Sequence, residues 1–180
     1  MEQVTAILIK ADDCGENDKI VKLFTLQKGV IRAKVRGVKK KGAKLKFAAQ
    51  PFCFGEYSLA ERGGFYTITG CVAKESFYGI AEDSQKYIFG CLMLETASEG
   101  VRYENNPDIF VLLLDSLKNL AYSTVSLDKV MVAYLFNLAE KCGYGISKED
   151  KTVKNLVNYL QYKLQVKFLT AQMLDEPTLM

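Results

Sequence analysis

RAKVRGVKKKGAKLKFAAQPF, residues Arg32–Phe52, starts as a β-like alternation, passes into a cluster of lysines and leaves through Gln50-Pro51-Phe52. Lys34, Arg36, Lys39, Lys40, Lys41, Lys44 and Lys46 fall within thirteen residues that hold no Asp or Glu. With no counter-charge inside the segment, the patch is expected to stay locally unneutralised, repelling itself and attracting polyanions. Val35, Val38, Leu45 and Phe47 lie between the charges and predict a strand edge with a tethered loop in place of a free tail. A lysine loop kept only for solubility is the alternative that this stretch leaves open.

Outward from that stretch, the charge is uneven. Residues 1–80 carry fourteen Lys and Arg against eight Asp and Glu, whereas residues 81–180 carry ten against thirteen, so a polyanion site belongs in the first half. The 180 residues, with a formal net charge of +3, are sized for one domain or two small ones. Met1-Glu2-Gln3 is not the basic start of a signal peptide and Val4–Ile9 is too short for a membrane span, which predicts a cytoplasmic protein. The five cysteines are widely spaced, form no Cys-x-x-Cys pair and suit reduced thiols in core positions. The absence of histidine excludes a His-containing zinc site, a Ser-His-Asp triad and a Cys-His nucleophile. There is no phosphate-cradling glycine motif and no catalytic carboxylate pair; Asp12-Asp13 and Glu149-Asp150 read as turn and helix-start acids. Neither an enzyme, nor a metal, nor a cofactor is expected.

Strands are predicted at Val4–Ile9, ending in a turn at Lys10–Asp13, and at Asp18–Leu26, joined through Gln27-Lys28-Gly29 as a hairpin to Val30–Val38. Pro51–Leu59 and Phe65–Ala73 complete the set, with Pro51 at a strand start and Gly70 at a bulge or a point of close approach. Five short strands in so short a stretch close most economically into a small barrel. From Ser84 the apolar period becomes helical: Ser84–Gly100, Asp108–Ala121 after the Asn105-Asn106-Pro107 start signal, Leu127–Cys142 capped by Ser126 or Ser123, and Glu149–Leu164 capped by Ser147. The last residues, Asp175-Glu176-Pro177-Thr178, read as a surface tail.

Val4–Lys10, Cys14-Gly15-Glu16-Asn17-Asp18, Leu23-Phe24-Thr25, Gly29, Arg36-Gly37 with the following lysines, Gln50-Pro51-Phe52 and Glu75-Ser76-Phe77, in that order, resemble the bacterial RecO family of DNA repair and recombination proteins. The resemblance implies an α+β chain: a five-stranded OB-fold nucleic-acid-binding barrel over 1–79 and an α-helical domain over 80–180. It also implies a cytoplasmic, nucleoid-associated mediator that binds single- and double-stranded DNA, anneals complementary strands and loads recombinase together with RecR and single-stranded DNA-binding protein. It places Arg32, Lys34, Arg36, Lys39, Lys40, Lys41, Lys44 and Lys46 on or beside the DNA face, where mobile ammonium groups meet phosphates and read no bases. Phe47, Tyr57, Phe65 and Tyr66 are rings that either stack on bases or, the reading favoured for each, fill the core; Phe47, flanked by lysines, is the leading stacking candidate.

Two departures from the family pattern stand out. The four-cysteine zinc module of many relatives is missing where Cys142-Gly143-Tyr144 runs on to Ser147, which predicts no metal and direct helix packing in its place. Cys14 stands where Tyr is commoner before the Gly-Glu pair, and carries no expectation of thiol chemistry. A protein-binding adaptor with weak or no DNA affinity is the competing class, and the lysine loop is what separates the two.

Overall fold

The computed structural model describes residues 1–146 and 152–174. They form two compact units, Met1–Ser76 with Val101–Pro107, and Phe77–Gly100 with the described part of Asp108–Met180.

The first unit is a closed OB-fold barrel of β1 (Glu2–Cys14), β2 (Asp18–Thr25), β3 (Gly29–Val35), β4 (Phe54–Arg62) and β5 (Phe65–Glu75), in the order β1-β2-β3-β5-β4 and back to β1. Period-two alternation sends Val4, Ala6, Leu8, Val21, Leu23, Ala33, Val35, Tyr57, Leu59 and Ile68 inward, and these side chains make the core. The β2–β3 hairpin turns where expected: Gly29 takes φ +68°, and the Thr25 hydroxyl donates to the Gly29 carbonyl at 2.9 Å while accepting from the Lys28 N–H at 2.9 Å. Closure comes from a short parallel pairing of β3 with β5, Ala33 opposite Tyr66 through Val35 opposite Ile68. The bulge expected at Gly70 is present as a register shift opposite Ser58 and Leu59. A second irregularity centres on Gly55, where any Cβ would run into the Val72 carbonyl. The Val101–Pro107 segment belongs to this unit; the Asn105 amide nitrogen donates to the Leu26 carbonyl at 3.2 Å, fastening the segment to the hairpin.

Several strand limits differ from expectation, β3 ending at Val35 instead of Val38, β4 running on to Arg62 and β5 to Glu75, and two differences have a clear physical reason. β1 does not turn at Lys10–Asp13: a bulge after Leu8 lets it continue to Cys14, with Asp12 opposite Ile20 and Asp13 opposite Lys19, so the two acids are strand residues. Pro51 does not begin β4. The chain first makes a 3-10 turn at Lys46–Ala49, then passes through Phe52 at φ +69°, with the Phe52 N–H bonded to the Leu8 carbonyl and the Leu8 N–H to the Cys53 carbonyl.

The second unit is helical: α1 (Tyr78–Ala81), α2 (Ser84–Gly100), α3 (Pro107–Tyr122), α4 (Leu127–Lys141) and α5 (Val153–Leu164). Within α2, Phe89, Leu92, Met93, Leu94, Thr96 and Ala97 are all buried, a wider apolar surface than the single stripe its spacing suggested. The Tyr134 hydroxyl of α4 donates to the Met93 carbonyl at 2.8 Å and lies 3.1 Å from the Thr96 hydroxyl. Cys142 packs its sulfur against Gly100, where an added Cβ would stand 3.2 Å from it, so a larger residue there would have to push the sulfur aside by a few tenths of an ångström. Thr152 caps α5 by accepting from the Asn155 N–H at 3.2 Å; the expected start at Glu149, the Ser147 cap and the tail at Asp175–Thr178 lie outside the described residues. Beyond α5, Phe168 is buried, and both carboxylate oxygens of Glu95 on α2 accept backbone N–H groups, from Leu169 at 2.7 Å and Thr170 at 2.9 Å. Among the described residues no helix is long and apolar enough to cross a membrane.

Candidate nucleic-acid interface

The lysine segment is a loop tethered at both ends, because Val38 near its start and Ala48 and Ala49 at its end are barrel core. Val38 is 4% exposed, Ala48 0% and Ala49 6%, and all three pack against the inward side chains of the strands. Between them the backbone turns at Gly37 (φ +63°) and Gly42 (φ +77°), with the Lys40 N–H bonded to the Gly37 carbonyl and the Ala43 N–H to the Lys40 carbonyl. The charged side chains have nowhere to go but outward.

The expectation of a locally unneutralised patch is corrected by the barrel itself. The β1–β2 turn brings two carboxylates against the base of the loop: Asp18 accepts from the Lys34 ammonium at 2.9 Å, and Asp13 from the Lys39 ammonium at 2.8 Å. Asp18 also accepts from the Gly37 N–H at 2.8 Å, and the Asn17 carbonyl accepts from the Lys39 N–H at 3.1 Å. The Gly37 bond, then Lys34, holds the Asp18 carboxyl below its ordinary range; Lys39 does the same for Asp13. A segment can lack acids in sequence and still meet them across a strand pair.

Charge nevertheless remains. Arg32, Arg36, Lys40, Lys41, Lys44 and Lys46 are exposed and make no ion pair within 4.0 Å among the described residues. Arg32 and Lys34 alternate with buried Ala33 and Val35, so they stand on the outer wall of β3. Lys22, which sequence reading did not single out, pairs directly opposite Arg32 on that wall. Its signal was available in the hairpin register, since counting back from Thr25 opposite Gly29 sets residue 22 against 32. The β2–β3 wall and the β1–β2 and β4–β5 turns are also where OB-fold barrels hold oligonucleotides.

The candidate aromatic residues separate cleanly. Phe47, in the 3-10 turn beside Lys46, is 59% exposed, and Phe65, at the β4–β5 turn, is 80% exposed. Tyr66 is half-buried and engaged: the Lys28 ammonium is 3.3 Å from its hydroxyl and 5.4 Å from its ring centre, and Lys28 also bonds Glu2 at 2.7 Å. Tyr57 is no stacking surface. It is fully buried, its hydroxyl donates to the Cys53 carbonyl at 3.2 Å, and burial pushes its phenol far above the usual range. Among the described residues no group of three or more Cys, Asp or Glu is placed to hold a metal ion.

Comparison with known proteins agrees with this architecture. Residues 1–77 match the family described as recombination protein O N terminal. The chain is 32% identical over 147 residues to the DNA repair protein RecO of Nocardioides sp., covering 80% of this chain and 60% of that protein. It is 26% identical over 162 residues to the DNA repair protein RecO of Clostridium perfringens, covering 87% and 66%, and 32% identical over 119 residues to that of Bacillus subtilis, covering 66% and 47%. The match thus spans about half to two thirds of the length of these relatives. The barrel is thus similar to the N-terminal part of the recombination protein O family, and the chain beyond it is similar to proteins named DNA repair protein RecO.

Proposed function

We propose that this chain is a DNA-binding recombination mediator that acts in DNA repair without covalent chemistry, cofactor or metal. The observation that carries the reading is the exposed tip of the basic loop, Lys40, Lys41, Lys44 and Lys46, on an OB-fold barrel whose relatives are named DNA repair proteins. Ammonium groups on a mobile tip neutralise phosphate without reading sequence, so both single- and double-stranded DNA are bound. Gathering two strands on one basic surface lowers their mutual repulsion and favours annealing. Recombinase loading then takes place with RecR and single-stranded DNA-binding protein, in the cytoplasm at the nucleoid. In this reading residues 1–79 are the nucleic-acid-binding domain and residues 80–180 the helical domain that meets protein partners.

The competing adaptor reading draws on one specific observation: Asp13 and Asp18 already occupy Lys39 and Lys34, leaving less charge for DNA than the sequence suggests. The test therefore targets cations without partners. Replacing Lys40, Lys41, Lys44 and Lys46 together by Ala is expected to leave the fold intact, because exposed charges contribute little to stability. Fluorescence anisotropy with a labelled single-stranded oligonucleotide should then show weaker binding and a salt slope reduced by about 0.7 for each lysine that met a phosphate. Unchanged affinity in the folded variant would remove the loop from the interface, and no binding by the unsubstituted chain at low salt would favour the adaptor.

A further inference from the structure

The loop that carries the free lysines is held at its base from two directions. On the inner side, Val38 and Ala48 are sunk into the barrel core. On the outer side, the β1–β2 turn grips it: the Asn17 carbonyl takes the Lys39 N–H, one Asp18 oxygen takes the Gly37 N–H at 2.8 Å, and the other takes the Lys34 ammonium. Gly37 lies two residues beyond the end of β3, in the turn where the chain leaves the strand with φ +63°, so the bond from Asp18 sits at the hinge of the loop. The Asp18 side chain is 26% exposed.

Asp13 offers an internal contrast. It carries the same charge beside the same loop, but its side chain is 61% exposed and its carboxylate holds only ammonium groups, Lys39 at 2.8 Å and Lys19 at 3.9 Å. For a surface that binds polyanions, a carboxylate is an obstacle. If charge alone mattered, removing either acid would tighten binding by a similar amount.

We infer that Asp18 is a positioning residue for nucleic-acid binding: it fixes the direction in which the basic loop leaves the barrel, and losing that anchor costs more affinity than losing the negative charge gains. The inference rests on the DNA-binding reading above. A loop released at its hinge must be ordered again when phosphate binds, and that ordering is drawn from the binding free energy. Asp13 only screens, so its removal exposes Lys39 and leaves the hinge unchanged.

The experiment compares the full chain with Asp18→Ala, Asp18→Asn and Asp13→Ala, using anisotropy of a labelled oligodeoxythymidylate near physiological salt and hydrogen exchange of the loop amides without DNA. Asp13→Ala is expected to bind as tightly as the unsubstituted chain or more tightly. Asp18→Ala is expected to bind about five- to thirtyfold more weakly, the scale set by re-ordering the backbone of one residue. Asp18→Asn, which keeps an acceptor for the Gly37 N–H while losing the charge, is expected to recover most of that loss. Exchange across 37–45 should accelerate in Asp18→Ala and not in Asp13→Ala. Equal tightening by both alanine variants, or no rescue by asparagine, would overturn the inference. Failure of the unsubstituted chain to bind would overturn the DNA-binding reading instead and the affinity claim with it, while the exchange arm would still decide whether Asp18 anchors the loop.

Discussion

Asp18 keeps its carboxyl ionised below the usual carboxylate range, first because the Gly37 N–H donates to it and then because Lys34 lies beside it. A carboxyl whose folded value is depressed stabilises the native arrangement above its ordinary value of 3.8, and that contribution is lost as the pH falls through the lower folded value. The anchor should therefore be intact across neutral and mildly acidic conditions. An NMR titration is expected to show the Gly37 amide shift flat down to about pH 4, moving only below the range of a free aspartate. A midpoint at or above that range would mean that the bond is absent in solution. Residue-scale chemistry of this kind was only half legible in the sequence. The exposed lysines followed from composition and spacing, whereas the exposure of Phe47 did not, and the two carboxylates that oppose Lys34 and Lys39 are sixteen and twenty-six residues away in the chain. Nothing local to the loop announces them.

At the scale of elements, alternation and helical period located every strand and the four long helices, since each buries a face whose repeat matches its geometry. The limits moved where a single backbone device overrode the pattern. The bulge after Leu8 carried β1 through a polar stretch that reads as a turn, and the left-handed Phe52 delayed β4 beyond its proline. The helical unit contributes a device that leaves no periodic trace: Glu95 accepts the two backbone N–H groups that open the final 3-10 turn, Thr170–Leu174. Glu95→Ala is expected to raise amide exchange at Leu169 and Thr170, at a cost of about 1.5–3 kcal/mol for each charge-assisted bond where the chain is ordered. Barrel amides should be unaffected. Unchanged exchange at these two positions would show that Phe168 alone, itself buried, holds the segment.

For the whole molecule, the separation of charge between the two halves of the chain makes a spatial prediction. The first 80 residues hold the cationic excess, with Arg32 and Lys34 on the outer wall of β3 and the remaining lysines of the basic segment in the loop that follows it. Photo-crosslinking to a single-stranded oligonucleotide, read by peptide mass spectrometry, is expected to label peptides containing residues 22 and 32–47 well above those of α2 to α5. Crosslinks spread evenly, or concentrated on the helices, would move the interface away from the barrel. The closure of that barrel also has a consequence in time. β1 pairs with β4 from Glu2 opposite Leu59 to Ile7 opposite Phe54, so on the ribosome this strand waits for partner residues translated up to 57 residues later. At about 5–20 residues per second, that is a delay on the order of 3–11 s. The β1–β2–β3 meander, whose pairings are local, can assemble as it emerges, but one edge of β1 stays open until β4 clears the exit tunnel. During synthesis the nascent chain thus carries an unsatisfied strand edge of largely apolar sequence, and its exposure to chaperones and to neighbouring nascent chains is set by the speed of translation through residues 15–60.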